Sequence, residues 1–201
     1  MQKIIIILLL GLFLTACSTP VMLPSTPSSS SGENYQYVVG AGDALQIFVW
    51  NNPEVSQQVV VRPDGKISTP LVEDLVVAGK TPVQVARDLE KVLKAYVREP
   101  VVTVIMGGFL GPYNQQIRIV GEAANPMAIP YRRHMTLLDV MISVGGLTEF
   151  AAGDRAVIVR FEDGAQKEYS AKLGRLLREG DISVNAQMQP GDIVIIPEAW
   201  F

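Results

Sequence analysis

The run from Gln116 to Ala152, QIRIVGEAANPMAIPYRRHMTLLDVMISVGGLTEFAA, carries the chain's densest set of local folding instructions. Gln116 to Val120 alternates polar and apolar residues, with Ile117 and Ile119 on one side and Arg118 on the other, the period of a half-buried strand. Gly121 and Asn125-Pro126 predict a turn, and Met127 to Pro130 a short returning segment whose prolines limit its pairing. Thr136 is then a helix N-cap. Asp139, three residues later, answers it as a capping-box acid beside the positive helix end, and Leu137, Val140, Met141 and Val144 form one apolar stripe. Gly145-Gly146 ends that helix, because the position after a helix needs a positive φ that glycine takes without strain. The unit therefore reads strand, hairpin, capped helix, glycine stop.

The preceding region reads in the same way. Tyr35 to Val39 and Ala44 to Trp50 are predicted strands joined at Gly40-Ala41-Gly42-Asp43. The Gly-x-Gly there is no nucleotide loop, since Leu45 stands where a third glycine would fall and no helix follows. Gln57 to Pro63 and Lys66 to Leu71 flank Asp64-Gly65, a hairpin signal. Thr81 caps a second helix, with Pro82 at its first position, Gln84 completing the box, and Val85, Leu89, Val92, Leu93 and Tyr96 as its apolar stripe. Glu90 and Lys94 are spaced to pair on its outer face. Pro100 stops it, Val101 to Met106 is a β-branched strand, and Gly107-Gly108 with Gly111-Pro112 marks a boundary. Beyond Ala152, Ala156 to Phe161 and Gln166 to Ser170 make a hairpin about Asp163-Gly164, and Ala171 to Glu179 a short helix interrupted by Gly174. Pro190-Gly191-Asp192 turns into a final strand, Ile193 to Ile196. Its Gly-Asp echoes Gly42-Asp43 as shared turn chemistry rather than a repeat.

The ordered set VGEAANP, IP, TLLDV and GGLT resembles the ligand-binding β-grasp module of bacterial outer-membrane polysaccharide export proteins. Upstream, YVVGAGDALQIFVW (37–50), VRPDGKISTPL (61–71), GKTP (79–82) and PVVTV (100–104) resemble that family's export domain. Met127 departs from the pattern, where the family usually has glycine after the proline. The resemblance implies an α+β fold of two small domains: a β-rich export domain with one helix over residues 35–113, and a β-grasp-like domain with a C-terminal strand over 114–201. It also implies an exported polysaccharide as cargo, a homo-oligomeric ring as working form, and an inner-membrane polysaccharide co-polymerase as partner. Longer members end in an amphipathic membrane-crossing helix, which needs roughly twenty residues. Only Glu198 to Phe201 follow Pro197 here. The chain thus resembles the family's short branch and the export lipoproteins of exosortase-linked systems, with a separate outer-membrane β-barrel expected to supply the hole. Trp200 and Phe201 are expected at a membrane interface or partner contact, or packed locally on the domain.

Residues 1–16, MQKIIIILLLGLFLTA, place Lys3 before an apolar run, Ile4 to Leu14. As a helix that run spans roughly 17 Å against a hydrocarbon core of about 30 Å, so it reads as a secretory signal rather than a span. Leu14-Thr15-Ala16-Cys17 resembles the lipobox of bacterial lipoproteins, which makes Cys17 the lipid-attachment residue. Ser18, not aspartate, follows it, resembling the outer-membrane sorting pattern. Acyl chains contribute about 0.8 kcal/mol per buried CH₂, so several together hold a protein on a leaflet. Residues 17–34 read as an acylated, Ser/Pro-rich tether: six Ser and three Pro among Ser18 to Asn34 cannot build a core. The expected location is the outer membrane, with the folded part in the periplasm.

Composition closes off other classes. With 48% hydrophobic residues and 18% charged, the chain supports compact cores, and a net charge of −3 offers no basic stripe for nucleic acid. One histidine, His134, and one cysteine, Cys17, provide neither a metal set nor a nucleophile triad, so no catalytic residue, metal or cofactor is expected. Glu73-Asp74 and Glu162-Asp163 read as solvated turn acids that diverge rather than as a dyad. The most suggestive cluster is Tyr131-Arg132-Arg133-His134, where guanidinium forks suit a sugar carboxylate and tyrosine suits a pyranose face. An exposed loop or a subunit contact accounts for the same residues. Three functions compete: the anchored ring or conduit of an export machine, a glycan-processing enzyme, and a non-transporting envelope lipoprotein that binds a soluble glycan or scaffolds a complex. The ordered resemblance favours the first.

Overall fold

The computed structural model describes residues 21–23 and 35–200. The signal segment, Cys17, most of the tether and Phe201 lie outside the described residues. The chain is α+β, with two hydrophobic cores in series, one drawn from residues 39–102 and one from 117–196.

The first core lies under a three-stranded antiparallel sheet of β2 (Ala44–Val49), β3 (Gln57–Val60) and β6 (Val102–Met106), in the order β3-β2-β6. Leu45, Ile47 and Val49 alternate inward and are almost fully buried, while Phe48 and Trp50 face out. A two-stranded hairpin, β4 (Lys66–Thr69) with β5 (Val72–Val76), and the helix α1 (Pro82–Leu93) complete the layer. The Thr81 box forms as expected: Thr81 Oγ1 accepts from Gln84 N–H and Gln84 Oε1 from Thr81 N–H, at 3.3 and 2.8 Å.

Several local expectations change here. Tyr35 to Val39 is not a strand; it crosses between the two cores as irregular chain. Asp64-Gly65 does turn, with Gly65 at φ +78°, but it does not join a paired hairpin. Only Arg62 N–H bonds back to Lys66, because Pro63 has no N–H and the Gly65 carbonyl already accepts from Val77 and Ala78. The chain switches sheets there: β3 pairs with β2, and β4 with β5 across a turn in which Leu71 takes φ +66°. Along α1 the buried arc runs through Val85, Ala86, Leu89 and Leu93, leaving Val92 at its margin and Tyr96, past the last helical residue, exposed. Glu90 does not pair with Lys94. It points toward β6, accepting from Val102 N–H at 3.0 Å and meeting Arg87 at 2.8 Å.

The second core is covered by a six-stranded mixed sheet. Its strands are β1 (Val21–Met22), β7 (Ile117–Gly121), β8 (Ala128–Ile129), β9 (Ala156–Glu162), β10 (Ala165–Ala171) and β11 (Ile193–Ile196), ordered β1-β10-β9-β11-β7-β8. The last strand is central, parallel to β7 and antiparallel to β9. Helix α2 (Leu137–Ser143) carries the expected Thr136–Asp139 box and the expected stop, Gly145 and Gly146 at φ +80° and +90°. Leu137, Val140, Met141 and Val144 are all fully buried. Asp163 and Gly164, both at positive φ, turn the β9-β10 hairpin as expected.

Gly174 does not interrupt its helix. It lies inside α3 (Leu173–Arg178), because the Asp154 carboxylate stands 2.8–2.9 Å from where a Cβ would be and accepts from Arg175 N–H at 3.1 Å. The tether also differs from a free spacer: Val21 and Met22 lie parallel to Tyr169 and Ser170, and Leu23 packs on the second core. A β-branched and an apolar residue in a serine-rich run suffice to pair with an open sheet edge.

Met141→Ala is expected to lower stability by about 2–5 kcal/mol, since the methionine fills a fully enclosed site under the sheet. Urea denaturation of the two proteins side by side checks this, and coincident midpoints would contradict it.

Candidate functional site

The two Gly-Asp elements form the same turn. Gly42 and Gly191 take φ +88° and +89°, and each following aspartate N–H bonds to the carbonyl three residues back, Asp43 to Gly40 and Asp192 to Gln189. In both turns one carboxylate oxygen accepts the N–H of that same residue at 2.8 Å. Both aspartates are completely buried, but they are satisfied differently. Asp192 meets the guanidinium of Arg160 through two parallel bonds of 2.8 Å, the bidentate geometry that suits a carboxylate.

Asp43 receives hydrogen bonds instead of a cation. Its Oδ1 accepts from the N–H groups of Leu110 and Gly111 at 2.7 and 2.9 Å, and its Oδ2 from Gly40 N–H and the Tyr37 hydroxyl at 2.8 and 2.6 Å. Burial, and then the bond to Asp43, hold the Tyr37 phenol proton far above the ordinary tyrosine range. These bonds tie the segment before β2 to the segment that leaves β6. Gly40 closes the contact, since a Cβ there would lie 2.1 Å from the Gly111 carbonyl carbon.

Residues 35–43 thus form a strap across both cores. At one end Tyr35 packs edge-on against Tyr131, with ring centroids 5.0 Å apart, and its hydroxyl donates to Gln115. At the other, Val39 is buried in the first core and exchanges backbone bonds with Lys80 and Gly79. Between them Tyr37 meets Phe109 edge to face at 5.3 Å. A cleft of about 390 Å³ opens along this strap, lined by Tyr35, Tyr37 and Phe109 on one side and Pro130, Tyr131, Arg132 and Arg133 on the other.

The Tyr131–His134 cluster is divided by its own turn. Tyr131 and Met135 anchor it in the core, the Arg132 carbonyl accepts from Met135 N–H, and His134 takes φ +64°. Arg132, Arg133 and His134 are left exposed. The two arginines line the cleft and also a second hollow, which they share with His134, Asp139 and Ile142. The ring of Tyr131, only 6% exposed and covered by Tyr35, is not the open pyranose platform that its sequence context suggested. Phe109, 57% exposed, has the open face. Nothing local marked Tyr35, Tyr37 or Phe109: two sat in a predicted strand and one in a glycine-rich boundary. The repeated Gly-Asp was the one available pointer to Asp43.

The remaining candidates lie elsewhere. Trp200 lines neither hollow; the backbone is held as far as Ala199, which donates to Phe150, and the indole beyond is 86% exposed rather than packed locally. Asp163 is solvated as expected, but Glu162 is not: it accepts from Lys167 and from the Tyr169 hydroxyl at 2.9 and 2.8 Å, and the ammonium first of all holds its carboxyl below the usual range. Glu73 and Asp74 are exposed as expected, but on β5 and not on a turn, and Asp74 pairs with Arg62 and Lys66. Among the described residues no group of three His, Cys, Asp or Glu side chains is gathered to hold a metal ion, and no helix is long and apolar enough to cross a membrane.

Comparison with known proteins divides the chain at the same boundary. Residues 31–107 match the family model for polysaccharide biosynthesis/export protein, and residues 116–169 match the SLBB domain. The EPS I polysaccharide export outer membrane protein EpsA of Ralstonia nicotianae is 25% identical over 207 residues, covering 89% of this chain and 49% of the relative. Its counterpart in Ralstonia solanacearum is 26% identical, covering 79% and 47%. The exopolysaccharide production protein ExoF of Rhizobium meliloti is 31% identical over 133 residues, covering 60% of this chain and 30% of the relative. The chain spans about half the length of the EpsA relatives it matches.

The Asp43 clamp generates a test that needs no ligand. Hydrogen bonds to a charged group each contribute roughly 1.5–3 kcal/mol, and an asparagine oxygen can satisfy only part of the four donors while its amide faces the rest. Asp43→Asn is therefore expected to cost about 3 kcal/mol and to speed proteolysis within residues 107–112. A wild-type denaturation midpoint and cleavage rate would show that the clamp is dispensable.

Proposed function

Because the chain belongs to the outer-membrane polysaccharide export protein family, matched in both of its parts, we propose that it is the lipid-anchored component of a capsule or exopolysaccharide export machine. Copies of it assemble into the periplasmic ring through which the polymer leaves, and an inner-membrane co-polymerase delivers that polymer. The observation that carries this reading is the succession of an export-family match and an SLBB match over two consecutive cores.

Two further features support it. The outer face of the first sheet sets Phe48 of β2 and Trp50 just beyond it beside Ile105 of β6 and Val101 just before it, all at least 45% exposed, with the Phe48 and Trp50 rings in edge contact. Contiguous apolar surface of this kind fits contact between subunits. The Leu14–Cys17 pattern supports anchorage by Cys17 acylation, and the Val21–Met22 strand starts four residues after that cysteine.

Deletion of the gene is the direct test. Loss of extracellular polymer with polymer retained in the cell is the expected result; unchanged export would refute the transport role and favour a glycan-binding or scaffolding lipoprotein. Cys17→Ala is expected to abolish fatty-acid labelling and to release the protein from the outer-membrane fraction. Persistent palmitate incorporation with unchanged membrane recovery would overturn the anchor.

A further inference from the structure

The cysteine that the Leu14–Cys17 pattern marks for acylation lies only four residues before Val21, the first residue of β1. An extended chain advances at most about 3.6 Å per residue, so Val21 stands no more than about 14 Å from the lipid-bearing residue. The serine-rich run after β1 adds nothing to that reach. Leu23, just before the run, and Tyr35, just after it, both pack on the second core, so the run leaves from and returns to one body. The second sheet is therefore held beside the leaflet by its β1 edge.

That sheet carries an apolar row on the face turned away from its core. Leu23 packs on the core, so Met22 beside it points the other way, and the strand register continues from Met22 through Ser170, Val157 and Ile195 to Val120. Ile119, Ile158 and Val194, which alternate with the row, are buried beneath it. Met22, Ile195 and Val120 are 42, 39 and 50% exposed, and the row contains no charged side chain. Five strands spaced about 4.8 Å apart make it roughly 19 Å wide. The next row of the same face runs from Glu168 through Val159 and Ile193 to Arg118, one charge of each sign, so net charge does not select the partner. Exposed apolar surface of this kind marks contact with protein or with membrane.

We infer that this face lies on the leaflet that holds the Cys17 acyl chains, with Met22, Ile195 and Val120 against lipid. The inference rests on the anchorage reading of Cys17. Attachment by apolar side chains strengthens with the apolar area buried, and a short tether makes the contact intramolecular, at an effective concentration on the order of millimolar. A face too weak to draw the protein from solution onto a membrane then suffices to settle it there. A second copy is the other occupant that an apolar face suits. A folded domain of about 100 residues has a radius of gyration of roughly 13 Å, however, and does not enter a gap of about 14 Å between β1 and the lipid.

The test uses the full-length lipoprotein in phosphatidylethanolamine–phosphatidylglycerol vesicles. Cys17 is the only cysteine and its sulfur is blocked once acylated, so Val120→Cys, Ile195→Cys and Val83→Cys each offer one thiol to a bimane label. Val83, on α1 and 69% exposed, is the control. Lipids with a doxyl group on the acyl chain are expected to quench the label at 120 and at 195 at least threefold more than at 83. Iodide equilibrated across the vesicles is expected to quench those two positions at least threefold less. Doxyl quenching at 120 and 195 no greater than at 83 would overturn the inference, with strong iodide quenching showing an open face and weak iodide quenching a face covered by a second copy or by the chain itself. The mass of the mature N-terminal residue reads the anchor separately. An acylated protein with labels untouched by doxyl lipid sinks the docking alone, whereas an unacylated chain sinks the anchor and the docking together.

Discussion

A carboxylate removed from water without a cation must be surrounded by donors, and Asp43 is surrounded by four. Those donors come from two stretches, Tyr37 and Gly40 of the strap and Leu110 and Gly111 after β6, so satisfying one charge fixes the two against each other. Gly40 and Gly111 can then touch, with no room for a side chain between them. The cleft follows from this, because Tyr37 is held on Asp43 and Phe109 immediately precedes the two amides that Asp43 binds.

Asp192 shows the same turn put to another use. Its backbone geometry and its capping bond repeat those of Asp43, but its free oxygens face a guanidinium. Arg160 projects inward from β9, stacks near Tyr169 at 5.6 Å and reaches the turn that begins β11. A buried ion pair with two good hydrogen bonds is costly to break from one side only, which fixes the position of the central strand against its neighbour. One turn thus ties the strap to the segment after β6, and its twin holds β11 to β9 through a salt bridge.

The boundary between the cores differs in character from either core. Each core taken alone presents ordinary apolar packing: a capped helix on a sheet. The exposed cations, the open aromatic ring and the strap occur together only where the two meet. A site built from both sides of the boundary depends on how the strap is held, and the bonds to Asp43 fix the strap against the segment after β6.

The sequence by itself determined the helices with their caps, the glycine stops, the Asp163-Gly164 hairpin and the two-part organisation. These depend on residues within four or five positions of one another, where φ preference, capping and periodicity act directly. It also placed Leu137, Val140 and Met141 in the core, because one helical face can be counted along the chain. Only the tertiary structure decided that Asp64-Gly65 switches sheets, that Val21–Met22 joins a sheet edge, that Glu90 turns toward β6, and that Tyr131 is covered while Phe109 is open. Each of these is set by competition among pairings, from the short β4-β5 hairpin to partners about 150 positions away, and local propensity does not decide between them. The cleft belongs to this second kind: Tyr35 and Tyr37 are about ninety-five positions from Arg132 and Arg133, and a buried charge that had to find its donors holds the strap that carries these two tyrosines.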